Sequence, residues 1–333
     1  MAASVMLSPA RWSLPEVGDT VRFLATVRDS NERLIDGARV VWSSSDSGVV
    51  RVDSHGLVTA AGRGRAKVFA KSGAVAQSVP VVTAMFNIEL LFRDSVPPEH
   101  REHQARFVDA ANFFMVALAE TEVPPIPDVT RIPLGIGSSW CGGTTEARTV
   151  HGLLVVVTVE EGRYFAAGGP CIRRDGGLPL VGRMTFSPSA FERDPDADFE
   201  RLVRHEMAHV LGIGTGRGWN PLSGSPHDTH FPGSLAVAAF DAAGGSGYAD
   251  GKVPVANDNV HWRASVMGCE VMSAGCGPQG IVSPTSAITL QALADMGFTV
   301  DPSMADPYTL PEADADAAAY AFEDDAVLPD RDR

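Results

Sequence analysis

The sequence predicts two unlike folded regions: an all-β sandwich over residues 1–83 and an α+β domain over residues 84–310, built around a helix that carries a histidine pair. Three observations carry this reading. Residues 1–83 are a run of short alternating apolar segments punctuated by glycine turns, the pattern of a β-sandwich. Beyond them, apolar stripes at helical spacing are interleaved with strand-like runs. At His205-Glu206-Met207-Ala208-His209, two histidines four apart fall on one helix face. A chain of 333 residues is long enough for two such domains.

In the first region Val21–Val27 alternates as a strand, and Arg39–Trp42, Val49–Val52, Leu57–Thr59, Ala66–Ala70 and Val79–Val82 follow. Asp36-Gly37, His55-Gly56 and Ser72-Gly73 supply the turns. No His, Asp or Cys cluster gathers there. Phe86–Phe92 opens the second domain as a strand, and Pro97-Pro98 leads into a helix whose apolar stripe is Phe107, Val108, Ala111, Met115 and Leu118. His100 and His103, near its polar start, read as solvated. Pro124-Pro125 ends it.

His151–Val159 reads as a buried strand, Gly168–Cys171 as a glycine-rich loop, and Val181–Phe186 as a strand at the sheet edge, where an extended peptide could add. Gly168-Gly169 lacks the following Lys-Ser/Thr of a phosphate loop. The helix carrying the histidine pair has Asp196 or Asp198 as its cap, Phe199, Leu202, Val203 and Val210 on its apolar side, and Gly212 as a left-handed stop. Residues 214–259 are loop-rich, with a short helix from Ser234 to the Gly244 turn. Thr285–Met296 reads as an amphipathic helix stopped by Gly297. The acidic, alanine-rich tail, residues 311–333, reads as mobile.

The formal net charge is −14, and the tail from Glu312 to Arg333 supplies eight acids against two arginines. This balance argues against nucleic acid as a partner and favours solubility. No stretch is long and apolar enough to span a bilayer. Met1-Ala-Ala-Ser leads almost directly into strand-like sequence, so a secretory leader is expected to have been removed. The four cysteines, Cys141, Cys171, Cys269 and Cys276, suit two disulfides in an oxidising compartment. Four cysteines allow three pairings; Cys141–Cys171 and Cys269–Cys276 each keep a bridge within one region.

The chemistry centres on the His205 motif. Two imidazoles on one face can grip one zinc ion, and Glu206 then sits where it can deprotonate a zinc-bound water. The apolar flanks Leu202, Val203, Val210 and Leu211 let such a helix be buried. A catalytic zinc takes three protein ligands and keeps one open position. For the third ligand the spacing leaves His227, His230, His261, Asp241 and Glu270 open.

Two resemblances add to this. Trp42–Asp46, Val50–Ala60 and Gly64–Val68 resemble the bacterial immunoglobulin-like (Big) repeat domains, which implies a secreted or cell-surface setting; the resemblance favours a spacer role, with cell-surface or matrix contact as the alternative. His205-Glu-x-x-His209-x-x-Gly212 resembles the metzincin zinc peptidases; their compact third histidine would fall at Thr215, so that form is broken. The leishmanolysin-like branch places its third His after a long insertion, ahead of a Met-containing turn. His261-Trp262, Glu270-Val-Met272, Phe231-Pro-Gly233, Ala236–Phe240, Leu290–Phe298 and Asp306–Leu310 are similar to that branch.

The resemblance implies a metzincin-type peptidase domain with one catalytic Zn2+ held by His205, His209 and His261. It implies Glu206 as general base and Met272 as the Met-turn residue. The implied function is a secreted zinc endopeptidase acting on protein or peptide substrates. Tyr248 is the one residue considered as a second oxyanion donor. The alternatives are a cell-surface binding protein with a structural metal site and a zinc amidase acting on cell-wall peptides.

Overall fold

A computed structural model describes residues 2–9, 12–14, 16–83, 86–93, 102–127, 149–161, 165–192, 199–223, 228–248, 251–273 and 283–311. Its contacts gather residues 1–88 and 112–124 into one compact unit and residues 89–111 and 125–333 into a second. The sequence expectation put the division at 83/84. The contacts move it a few residues on and return 112–124 to the first unit. There the buried backbone N–H of Ser13 donates to Asn112 Oδ1 at 3.0 Å.

The first unit is all-β apart from residues 112–124. Its strands are β1 (Ser4–Ser8), β2 (Trp12–Leu14), β3 (Thr20–Arg22), β4 (Leu24–Arg28), β5 (Val41–Ser44), β6 (Val50–Val52), β7 (Leu57–Ala60), β8 (Gly64–Ser72) and β9 (Val75–Thr83). They form three small sheets, ordered β2-β9-β8-β5, β3-β7-β6 and β1-β4. Leu14, Phe23, Val50, Val58, Val68 and Val81 face one another in the core. The expected strand Val21–Val27 is broken at Phe23, whose ring is fully buried and whose N–H donates to Gly56 O. There β3 stays with β7, while β4 leaves to pair with β1. Gly56 is required at this crossing: its φ is 77°, and a Cβ would stand 2.5 Å from Phe23 O.

The second unit holds a mixed sheet ordered β10-β11-β13-β12, with β10 at Ile88–Phe92, β11 at Leu153–Val159, β12 at Ala166–Arg173 and β13 at Pro179–Phe186. β11 runs parallel to β13, and β12 runs antiparallel to it. Six of the seven β11 residues are buried, as expected of a strand with both faces covered. Helix α1 (Glu102–Ala117) precedes β11, and helix α2 (Glu200–Leu211) follows β13. Two expectations change here. Gly168–Cys171 lies within strand β12 rather than in a loop, and the edge strands are β10 and β12, because β13 has a neighbour on each side.

A small sheet of β14 (Leu222–Ser223), β15 (Thr229–Phe231) and β16 (Val253–Pro254) follows, with helices α3 (Ser234–Ala242), α4 (Ala264–Met267) and α5 (Ala287–Asp295). The Asp295 carboxylate caps α3, accepting from the N–H groups of Leu235 and Ala236. His103 is buried rather than solvated, with its ring edge-on to Phe199 and Phe191. His100, the candidate caps Asp196 and Asp198, and tail residues 312–333 lie outside the described residues. Among the described residues, no helix is long and apolar enough to cross a membrane.

Candidate metal centre

Helix α2 is set on the sheet by two glycines. A Cβ on Gly168 would stand 2.2 Å from Glu206 O, and one on Gly182 would stand 2.3 Å from a Val210 methyl. The helix backbone therefore lies directly on β12 and β13. Its buried face holds Val203, Glu206, Met207, Val210 and Leu211. At its end Gly212, with φ 130°, donates to Ala208 O and His209 O. Thr215 Oγ1 then donates to His209 O at 2.6 Å, so the residue standing at the compact third-His position closes the helix instead.

The chain returns to the α2 histidines at His261. The three imidazole Nε2 atoms converge: His205 to His209 is 3.0 Å, His209 to His261 is 3.1 Å, and His261 to His205 is 3.2 Å. Among the described residues, this is the one group of three His, Cys, Asp or Glu side chains spaced to hold a metal ion.

The other ring nitrogens fix the chemistry of this triangle. His205 Nδ1 meets Val271 O at 2.7 Å, and His209 Nδ1 meets Ile213 O at 2.8 Å. His261 Nδ1 meets Asp258 Oδ2 at 2.5 Å. Carbonyl and carboxylate oxygens only accept, so each Nδ1 carries the proton and donates it. With that proton on Nδ1, each ring turns its Nε2 toward the other two. Three lone pairs at this spacing repel unless a cation lies among them, and a donor set of neutral imidazoles suits zinc. Nitrogens about 2.0–2.1 Å from a tetrahedral zinc lie roughly 3.3–3.4 Å apart, close to the spacing found. Burial, then the neighbouring His209 and His261, holds the His205 pKa well below its ordinary value, which keeps that ring neutral.

Asp258 was not anticipated from the sequence. Burial works against ionising it, yet the His261 contact and two backbone N–H groups outweigh burial and hold its carboxyl below the usual range. Only its place three residues before His261 could have drawn attention to it.

The other candidates go elsewhere. His230 sits on β15 with Nδ1 bonded to Asp228 O, and Asp241 is exposed on α3. Glu270 is fully buried, but its carboxylate accepts from Met272 N, Ser286 N, Ser286 Oγ and Thr289 Oγ1. It ties the turn of residues 270–273 to the start of α5. Met272 is fully buried in that turn, one residue after the carbonyl that holds His205. Glu206 is buried beside His205 with 5% of its surface exposed. Tyr248 is exposed, and its hydroxyl accepts from Arg263. Cys171 and Cys269 are disulfide-bonded. Cys141, Cys276 and His227 lie outside the described residues.

Residues 1–83 match the family model of the bacterial Ig-like domain (group 2), so the all-β unit carries an Ig-like domain. Domains 5–6 of the S-layer protein SbsC align at 18% identity, covering 25% of this chain and 44% of that one, with a TM-score of 0.22. A xylanase from termite gut that contains a bacterial Ig-like domain aligns at 18% identity over 28% of this chain and 23% of that one, with a TM-score of 0.19. The Yersinia pseudotuberculosis adhesin InvE aligns at 18% identity over 24% of this chain and 26% of that one, with a TM-score of 0.17. The chain spans less than half the length of each of these three structures. No curated protein matches the chain.

Proposed function

We propose that the second unit is a zinc-dependent endopeptidase of the metzincin, leishmanolysin-like kind, carried at a bacterial surface or secreted. The observation that supports this most is the Nε2 triangle of His205, His209 and His261 with Glu206 on the adjoining helix position. A structural zinc site is normally closed by four protein ligands, whereas the three histidines found among the described residues leave a position for substrate. A zinc ion held there would polarise a scissile carbonyl and lower the pKa of water in the site.

The chain's own residues account for the rest. The buried Glu206 carboxylate takes a proton from the attacking water and returns it to the departing amine. β12 packs against α2 and among the described residues has no strand partner on its other side, where an extended peptide would pair with its backbone. Glu270 accepts from Met272 N across the turn, and the Val271 carbonyl between them orients His205. The Ig-like domain supports the surface setting and would serve as a spacer or contact module.

The test measures zinc content and casein cleavage together. Wild type is expected to hold one zinc per chain and to cleave. His261→Ala loses both, and His230→Ala keeps both. Glu206→Ala keeps zinc while cleavage falls about 10²–10⁴-fold. A wild-type protein that holds zinc, cleaves neither casein nor cell-wall peptide, and unfolds when zinc is withdrawn would instead support a surface-binding protein with a structural metal, a reading the Ig-like domain favours. Cleavage of cell-wall peptide alone would identify an amidase.

A further inference from the structure

The third histidine is delivered by a loop, whereas the other two ride a helix. What fixes its ring must therefore come from that loop. The segment 256–262 is closed by backbone bonds from Asn259 N to Ala256 O and from Ala256 N to His261 O. Asn259 stands at φ 64°, a left-handed conformation that Asn tolerates better than most residues. Its carbonyl accepts from Trp219 Nε1 at 2.8 Å, and the Trp219 ring stacks on Phe231 and tilts against Trp262. Gly214 presses on Val260 so closely that a Cβ would come within 2.3 Å of its carbonyl oxygen.

Inside this frame the Asp258 carboxylate does two separate things with its two oxygens. Oδ1 accepts from the N–H groups of Val260 and His261, at 2.9 and 3.2 Å, and so shapes the turn. Oδ2 accepts from His261 Nδ1 at 2.5 Å. Both oxygens are thus engaged within the turn, and Asp258 is not part of the Nε2 triangle. We infer that Asp258 is the positioning residue of the centre: through Oδ2 it keeps the His261 proton on Nδ1 and holds the Nε2 lone pair toward His205 and His209. His205 and His209 take the same proton placement from backbone carbonyls. His261 alone depends on a side chain for it, so the ligand set can be disturbed at one position without touching a ligand. The inference rests on the zinc-site reading above.

Asp258→Asn separates positioning from turn shaping. Asparagine keeps an Oδ1 for the two backbone N–H groups, and its side chain forms the same kind of turn. Its NH2 then faces His261 Nδ1 and donates, which moves the ring proton to Nε2 and turns a donor toward the metal position. Zinc affinity is measured by chelator competition on wild type, Asp258→Asn and Asp258→Ala, with thermal unfolding of the metal-free proteins and the visible absorption of their cobalt(II) forms. Asp258→Asn is expected to unfold within a few degrees of wild type, to bind zinc about 10–100-fold more weakly, and to show an altered cobalt spectrum. Asp258→Ala should weaken zinc similarly and also unfold earlier. Wild-type affinity and spectrum in Asp258→Asn, with loss only in Asp258→Ala, would reduce Asp258 to a turn former and overturn the inference. A wild type that binds neither metal would sink the zinc-site reading itself, and the inference with it.

Discussion

At the scale of single residues, the buried carboxylate of Glu270 is committed to structure, and its partners say how. Burial pushes Glu270 above the ordinary carboxyl value, while four donors pull the other way. Glu270→Ala would strand two backbone N–H groups and two hydroxyls, and is expected to cost about 3 kcal/mol, read as a lower denaturation midpoint. A stability within 0.5 kcal/mol of wild type, by the usual spread of surface substitutions, would contradict this account. The exposed Asp53 illustrates the opposite case. Backbone bonds from Leu57, and then from His55, hold its pKa below 3.8 in the folded chain. The folded carboxyl thus binds its proton less readily than the unfolded one. Its contribution is fully present above the unfolded value and fades as pH falls below it. Removing the charge with Asp53→Asn should flatten the acid side of the stability profile below about pH 4, near the unperturbed carboxyl value.

Elements meet here through missing side chains. Gly168 on β12 and Gly182 on β13 both lie under α2, and a methyl at either would collide with the helix. Gly168→Ala has backbone as its obstacle, so the helix itself must shift. A loss of about 1–3 kcal/mol or more is expected, together with weaker zinc binding, because His205 and His209 ride on that helix. Gly182→Ala meets a Val210 methyl at 2.3 Å and backbone only at 3.1 Å, from Gly169 O, and should be milder. Equal effects at the two positions in thermal unfolding would argue against the backbone contact at Glu206. The same close approach explains why the glycine-rich stretch is strand: absence of a Cβ serves packing at Gly168, where a sequence reading sees turn chemistry.

For the whole molecule, the Ig-like core and the histidine cluster fall in different compact units. The Ig-like core of Leu14, Phe23, Val50, Val58 and Val81 contains no residue of the histidine cluster. Zinc at about 100 times its Kd would stabilise the unit that binds it by roughly 2.7 kcal/mol. Chelation should therefore lower the unfolding temperature of the second unit and leave the first unit's transition in place. A chelator effect on both transitions, or on neither, would contradict this division.

Much of the local structure was legible in the chain. The α2 histidine pair, the Gly212 stop, the buried β11, the α5 helix and most strands of the Ig-like region follow from period, caps and turn residues, which are local properties. Legibility stopped where a partner is distant in sequence. Strand order made β12 an edge and put β13 inside; no period within β13 records how many neighbours it has. His103 and Glu270 carry polar side chains whose burial depends on the aromatic rings and helix start brought to them. Sequence by itself determined the two-region layout and a helix with two imidazoles and a carboxylate on it, because i,i+4 geometry is written into the helix. Spacing left the third position open and a resemblance pointed to His261; only the tertiary structure brought its Nε2 to the other two, assigned each Nδ1 its acceptor and revealed Asp258, because those relations join residues up to 66 positions apart that only folding brings within hydrogen-bond range.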